Sequence, residues 1–220
     1  MQAPTSVRWL TQTEWGIVTG VFGDTLPIRQ RIFVTNALGA GNAPFTIPTA
    51  ALNIATLPPL AAAGFHALVA AEAPGPVERM LDAIYNAGLP GVAHNAHARF
   101  TGGNINLGYL VNIGPSAYAS MTASQSTKDL LVHELTHVWQ GANSIFTMNY
   151  VINSAFHQCK GMASSKTGRN AAYTFTPGAD FSSYNAEQQA SIVEHWYSSG
   201  QSQNSNLWPY IRDSVRKGRA

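Results

Sequence analysis

Residues 130–140, LLVHELTHVWQ, constrain the fold most, because they place ionisable side chains inside an otherwise apolar segment. A capping residue at Ser126 or Thr127 predicts a helix that runs to about the end of this segment. Residues four apart lie on one helix face, so His133 and His137 should point the same way. Burying polar groups without partners costs several kcal/mol. This face therefore needs polar partners or an ion.

The five residues from His133 to His137 form the pattern H-E-x-x-H. Two imidazoles stacked on a helix can both reach one ion at the roughly 2.0–2.1 Å of a Zn–N bond. Glu134, one position further round, cannot easily share the ion but can reach a water bound to it. We therefore expect the histidines to hold zinc, the zinc to lower the pKa of the water, and Glu134 to take the proton. The alternative is two core histidines beside an exposed glutamate.

A catalytic zinc site needs a third protein ligand and an open position for water. Glu187, on a helix expected over residues 185–198, is the preferred candidate. Glu194 and His157 stay open as alternative ligands. Ser191 or Glu194 could instead hydrogen-bond a ligand histidine from outside the metal site.

The remaining candidate site residues carry weaker signals. His94 and His97 are three apart on an expected loop or strand, a spacing that does not aim both at one ion. Cys159 could be a catalytic thiol, although a lone cysteine more often behaves as a small buried apolar residue. A group that stabilises the tetrahedral oxyanion is also expected. Four residues could each supply it: His195, Tyr184, Tyr173 and His157.

The rest of the chain predicts a mixture of helices and short strands. Thr11 and Glu14 form a capping box, which predicts a helix that ends near Gly23. The central helix should stop at Gly141. Residues 104–113 alternate as a strand, either an internal one or one that pairs with a bound peptide. We further expect a strand at 28–35, loops at 36–48 and 161–184, and helices at 60–73, 77–87, 144–158 and 207–216.

Composition excludes several classes of partner. The 220 residues have a net charge of +2, and only 11% of them are charged, against roughly 25% in typical domains. We therefore expect no nucleic-acid partner. No segment reaches the ~18 apolar residues of a membrane span. One cysteine excludes an internal disulfide, and the first residues lack the pattern of a secretory signal.

Three blocks carry a resemblance to a known family: LTQTEWGIVTGVFGDTL (10–26), HELTHVWQG (133–141) and FSSYNAEQQASIVEHW (181–196). Together they resemble zinc metallopeptidases encoded beside type VI secretion (VgrG and Rhs) and related contractile-injection genes. The resemblance implies a zincin-like fold, zinc-hydrolase activity and Glu187 as the third ligand. His195 stands where the family pattern leads us to expect an aspartate. An effector is also implied, cytoplasmic in the producer and exported without a signal peptide.

We therefore predict one α+β, zincin-like domain over residues 1–220, mostly helical, with a small mixed sheet packed on the metal-binding helix. The leading function is a zinc-dependent peptidase that acts on a peptide or protein, and an antibacterial or toxin effector is the role considered for it. Zinc is held by His133, His137 and Glu187, and Glu134 is the general base. A secretion-apparatus or immunity protein is the expected partner. The alternatives are a non-catalytic metal-stabilised adaptor and an amidase acting on cell-wall peptides; a structural site would have no use for the base Glu134.

Overall fold

The computed structural model describes most of the chain outside one long central segment and a few shorter ones. Its described elements are mainly helices with one small mixed sheet, which confirms the α+β class. The chain divides into two compact units. The zincin-like fold, the single domain and the packing of the sheet on the metal-binding helix stay predictions. The described residues are 6–38, 44–48, 108–143 and 173–220.

The first unit, Met1–Leu10 with Ile28–Tyr118, contains a four-stranded sheet. Its middle strands run parallel, and each outer strand runs antiparallel to its neighbour. The two middle strands are fully buried, as their β-branched and aromatic residues favour. The strands are β1 (Val7–Trp9), β2 (Ile32–Thr35), β3 (Phe45–Pro48) and β4 (Tyr109–Asn112), in the order β1-β2-β4-β3.

The strand predictions were partly right. The strand expected over 28–35 begins only at Ile32, because Arg29–Arg31 forms a 3₁₀ turn. Phe45–Pro48 is a strand, so the loop expected over 36–48 was wrong at its end. The strand expected over 104–113 is present as β4, and its first residues lie outside the described ones. Since β4 is paired on both sides, it is an internal strand and not an edge for a bound peptide.

The second unit, Thr11–Pro27 with Ala119–Ala220, is helical. Its central helix packs along one long helix and against another. Every residue from Leu131 to Gly141 on the central helix is buried, as expected of a helix enclosed by its neighbours. The described helices of the whole chain are α1 (Gln12–Phe22), α2 (Gly114–Ala119, which belongs to the first unit up to Tyr118), α3 (Gln125–Asn143), α4 (Ala186–Ser198) and α5 (Trp208–Asp213).

Two capping boxes begin α1 and α4. The predicted box is confirmed, since Glu14 N donates to Thr11 Oγ1 at 3.2 Å and Thr11 N donates to Glu14 Oε2 at 2.7 Å. Asn185 caps α4 in the same way with Gln188. The predicted start of this helix at Asn185 is therefore confirmed. The cap places Glu187 in the first turn of the helix.

The predicted ends of α3 need correction. The helix begins at Gln125 and continues past Gly141 to Asn143. The side chain of Asn143 donates to the carbonyl oxygens of Trp139 and Thr25, at 2.8 and 2.9 Å. Because Gly141 is buried and these contacts hold the last turn, the glycine does not terminate the helix.

The C-terminal region is less regular than predicted. In place of one helix over 207–216, α5 (Trp208–Asp213) is followed by a separate 3₁₀ turn, Val215–Lys217. Among the helices that the structure describes, none combines the length and the apolar character that crossing a membrane requires. Several predictions lie outside the described residues: the helices at 60–73, 77–87 and 144–158, most of the loop at 161–184, and His94, His97, His157 and Cys159.

Candidate metal centre

Helices α3 and α4 bring three metal-binding side chains together. His133 and His137 lie one turn apart on α3, and Glu187 lies in the first turn of α4. One ligand atom from each residue lies within 4.8 Å of the other two, and all three residues are buried. The three ligands expected from the sequence therefore form one group that could hold a metal ion.

The distances within this group fit a tetrahedral ion. Nε2 of His133 lies 3.2 Å from Oε2 of Glu187, and Nε2 of His137 lies 3.4 Å from the same oxygen. Ligand atoms at 2.0–2.1 Å around a tetrahedral ion are about 3.3 Å apart. Two imidazoles and one carboxylate also match a known donor set of zinc hydrolases. The residues present thus fit a metal in both spacing and chemistry.

The Nδ1 atom of each histidine has its own hydrogen-bond partner. Nδ1 of His133 lies 2.9 Å from Oε2 of Glu194, and Nδ1 of His137 lies 2.9 Å from Oε1 of Gln140. With Nδ1 engaged, the Nε2 atoms are left to face Glu187. Glu194 therefore lies outside the group of candidate ligands and contacts one of them from behind, the position that partners of metal-bound histidines commonly take.

The charges in this cluster depend strongly on one another. Burial lowers the pKa of His133, but the hydrogen bonds to Glu187 and Glu194 outweigh it and raise that pKa to about 10. Burial also lowers the pKa of His137, and the negative charge of Glu187 reverses this and raises it. Burial raises the pKa of Glu187, but the positive charge of His137 and the hydrogen bond from His133 bring it well below its usual range. Without a metal, the negative charge of Glu187 and a positive charge on the imidazoles therefore favour each other.

Glu134, the expected base, is buried on α3 next to His133, with 4% of its surface exposed. Its negative charge raises the pKa of both His133 and His137, so its carboxylate lies within electrostatic range of both ligands. The alternative interpretation placed Glu134 on an exposed face of the helix, and this part of it was wrong because Glu134 is buried.

Of the residues considered for the oxyanion, Tyr173 lies beside the site. Its ring centroid is 6.0 Å from that of His133, and 44% of its surface is exposed. His195 instead contacts the ring of Phe175, at 5.4 Å, on an exposed part of α4. The hydroxyl of Tyr184 donates to the carbonyl oxygen of Thr176 at 2.6 Å. His157 lies outside the described residues.

Sequence reasoning missed Gln140 and Gln189, which are both buried and both joined to the site. The Gln140 amide bonds His137 and also the side chain of Gln189 on α4. One signal was available: Gln140 follows His137 by three positions, which places it one turn away in the same apolar segment. A polar residue at such a position on a buried helix needs a partner.

Fold and site together define a mixed α+β protein with a buried H-E-x-x-H helix, whose histidines meet a carboxylate from a second helix. Part of the chain is similar to the type VI secretion system spike protein VgrG2b of Pseudomonas aeruginosa, with 32% identity over 74 residues. The match covers 34% of this chain, and the chain spans 7% of the length of that relative. No family model matches the chain, and no solved structure matches it.

Proposed function

We propose that this chain is a zinc-dependent peptidase. The observation that carries the proposal is the convergence of Nε2 of His133, Nε2 of His137 and a carboxylate oxygen of Glu187, with the buried Glu134 beside them. Imidazole and carboxylate ligands in a tetrahedral arrangement suit zinc. A site that only stabilised the fold would gain nothing from a further buried carboxylate, which has to be kept charged in the interior at a cost.

The chemistry follows from the positions of the side chains. A bound zinc ion supplies Lewis acidity, which makes a water acidic enough to lose a proton near neutral pH. The carboxylate of Glu134 would accept that proton while the water oxygen bonds to the carbonyl carbon of the substrate. It would then deliver the proton to the nitrogen that leaves when the C–N bond breaks. Tyr173, beside His133, is the candidate to donate a hydrogen bond to the oxygen of the tetrahedral intermediate.

The similarity to VgrG2b suggests where such a peptidase acts. That relative is a spike protein of a type VI secretion system. We propose that this chain is an effector delivered by a contractile secretion system, with a peptide or protein of the target cell as substrate. A secretion-apparatus protein or an immunity protein would be its partner.

The test combines metal analysis with peptide hydrolysis. Glu134→Gln keeps the size of the side chain and removes the base, so it should retain zinc and lose turnover. Glu187→Gln removes a ligand and should lose both. Full activity in Glu134→Gln would contradict the proposed base, and a purified wild-type protein that takes up no zinc would contradict the metal site.

The choice of substrates separates the proposed peptidase from the other two functions. Zinc-loaded protein is incubated with a mixed protein digest and, in parallel, with a peptidoglycan preparation. Cleavage of the digest supports the peptidase, while release of cell-wall peptides alone would identify an amidase. The non-catalytic adaptor would be supported if the zinc-loaded protein cleaves neither preparation and no added zinc-binding inhibitor coordinates its zinc ion.

A further inference from the structure

Two buried side-chain amides, Gln140 on α3 and Gln189 on α4, lie beside the candidate metal site and take no part in the chemistry proposed above. Only 3% of the surface of Gln140 and 7% of that of Gln189 are exposed. Burying an amide is unfavourable unless its oxygen and its nitrogen both find partners. The hydrogen bonds of this pair can be traced atom by atom, and they end at a metal ligand.

The direction of the bonds follows from backbone carbonyls, which can only accept. Nε2 of Gln189 lies 3.0 Å from the carbonyl oxygen of Phe181 and 3.3 Å from that of Tyr184. This end of the side chain must therefore be the NH₂ group. The amide oxygen of Gln189 then faces Gln140, whose Nε2 donates to it at 2.8 Å.

The orientation of Gln140 follows in turn. Its NH₂ group donates to Gln189 and also, at 2.9 Å, to the carbonyl oxygen of Ala186. Its own oxygen consequently faces Nδ1 of His137, 2.9 Å away. Because this oxygen can only accept, Nδ1 must carry the hydrogen. The nitrogen left to offer a lone pair is Nε2, the atom 3.4 Å from Oε2 of Glu187.

We infer that Gln189 and Gln140 form a directed hydrogen-bond relay that keeps the hydrogen of His137 on Nδ1 and so aims the Nε2 lone pair at the metal position. The inference rests on the proposed zinc function. Both glutamines are positioning residues, since they act through His137. The relay also joins α3 to the carbonyl of Ala186, the residue directly before Glu187, so it orients one ligand and anchors the backbone beside another.

A purely structural role would give a different result. If the amides only satisfied the carbonyls near the start of α4, their loss would lower the melting temperature and leave the affinity for zinc unchanged in the folded protein. The relay predicts a change in zinc affinity and in the ring N–H signal of His137. These two quantities therefore decide between the roles.

The experiment compares Gln140→Met and Gln189→Met with Gln125→Met in the full chain. Methionine keeps the length of the side chain and removes its hydrogen bonds. Gln125 is a matched control, because it lies on the same helix and its exposed side chain donates to Oδ1 of Asp129, at 2.8 Å, away from the candidate metal site. Zinc affinity is measured by competition with a chromophoric chelator, and histidine ring N–H signals are recorded on zinc-loaded protein labelled with ¹⁵N-histidine.

We expect Gln140→Met to weaken zinc binding by about 10- to 100-fold, the usual effect of losing the partner of a ligand histidine. The exchange-protected N–H signal of His137 should disappear, while that of His133, which is held by Glu194, remains. Gln189→Met should give a smaller loss of affinity, because Ala186 still orients Gln140. Gln125→Met should match the wild type.

Wild-type affinity and an unchanged His137 signal in Gln140→Met would overturn the relay while leaving the zinc site intact. Wild-type protein that binds no zinc would instead overturn the proposed function, and the relay with it. If Gln140→Met does not fold, Gln189→Met decides alone: reduced zinc affinity supports the relay, and unchanged affinity contradicts it.

Discussion

If the site holds zinc as proposed, the ion has to displace a proton from His133, and the affinity for zinc should depend on pH. In the metal-free protein, the hydrogen bonds to Glu187 and Glu194 outweigh the effect of burial and raise the pKa of His133 from 6.5 to about 10. Both ring nitrogens are therefore protonated at neutral pH, whereas a metal needs the lone pair of Nε2. We expect the affinity for zinc to rise with pH through the whole neutral range.

The size of the effect follows from proton linkage. While the pH is below the pKa, each displaced proton changes the affinity by about tenfold per pH unit. From about pH 6 to about pH 8, His133 alone therefore predicts a gain of about 100-fold. Burial lowers the pKa of His137, but the charge of Glu187 overcomes this and raises it. His137 should therefore make the dependence steeper.

Chelator competition at a series of pH values measures this slope. Glu194→Gln removes a carboxylate that raises the pKa of His133, so its affinity should level off at a lower pH than that of the wild type. His195→Asn, an exposed substitution on the same helix, should reproduce the wild-type curve. An affinity that does not change with pH would refute the reasoning, and so would a Glu194→Gln curve that rises over the same range as the wild type.

Three further predictions follow from the same contacts. Tyr173→Phe should lower kcat by about 10²- to 10³-fold with little change in zinc affinity, if its hydroxyl stabilises the oxyanion. Asn185→Ala and Thr11→Ala each remove a helix cap and should each cost about 1 kcal/mol in thermal unfolding, but only Asn185→Ala, beside Glu187, should also weaken zinc binding. When a chelator keeps the protein free of metal, the raised pKa of His133 means that protonated His133 stabilises the folded state. This stabilisation is fully present below pH 6.5 and is lost as the pH rises towards about 10. The lowered pKa of Glu187 acts in the opposite direction, so its contribution is present above pH 4.5 and is lost at lower pH. Both contributions are fully present between pH 4.5 and pH 6.5, and the melting temperature of the metal-free protein should be highest there.

The ligand group was predictable because helical periodicity places residues in space. His133 and His137 are one turn apart, and a capping residue marked the start of the helix that carries Glu187. Glu194 shares that helix, seven positions later, and periodicity puts it on the same face. Which carboxylate reaches the Nε2 atoms and which reaches Nδ1 depends on how far one helix is shifted along the other. That shift is a property of tertiary packing and could not be predicted from local sequence.

The sheet shows the opposite limitation. Strand β1 has only three residues, and β3 follows a segment rich in Gly and Asn, which favours a loop. They exist because β2 and β4 offer backbone groups for pairing. Similarly, Gly141 was expected to end α3, but the helix continues for two more residues to Asn143, whose side-chain contacts hold its last turn. Elements that depend on distant partners were thus missed or misplaced, while those defined by their own pattern were found.

The way the two helices share the site explains why their contact matters for metal binding. Helix α3 supplies two of the proposed ligands and the proposed base, but both histidines are hydrogen-bonded from α4: His133 directly by Glu194, and His137 through Gln140, which is bonded to Ala186 and Gln189. The third proposed ligand also comes from α4. A change that loosens α4 should therefore disturb all three ligands at once, and a bound ion should in turn stabilise the contact between the helices, because an ion that binds only the folded state favours that state.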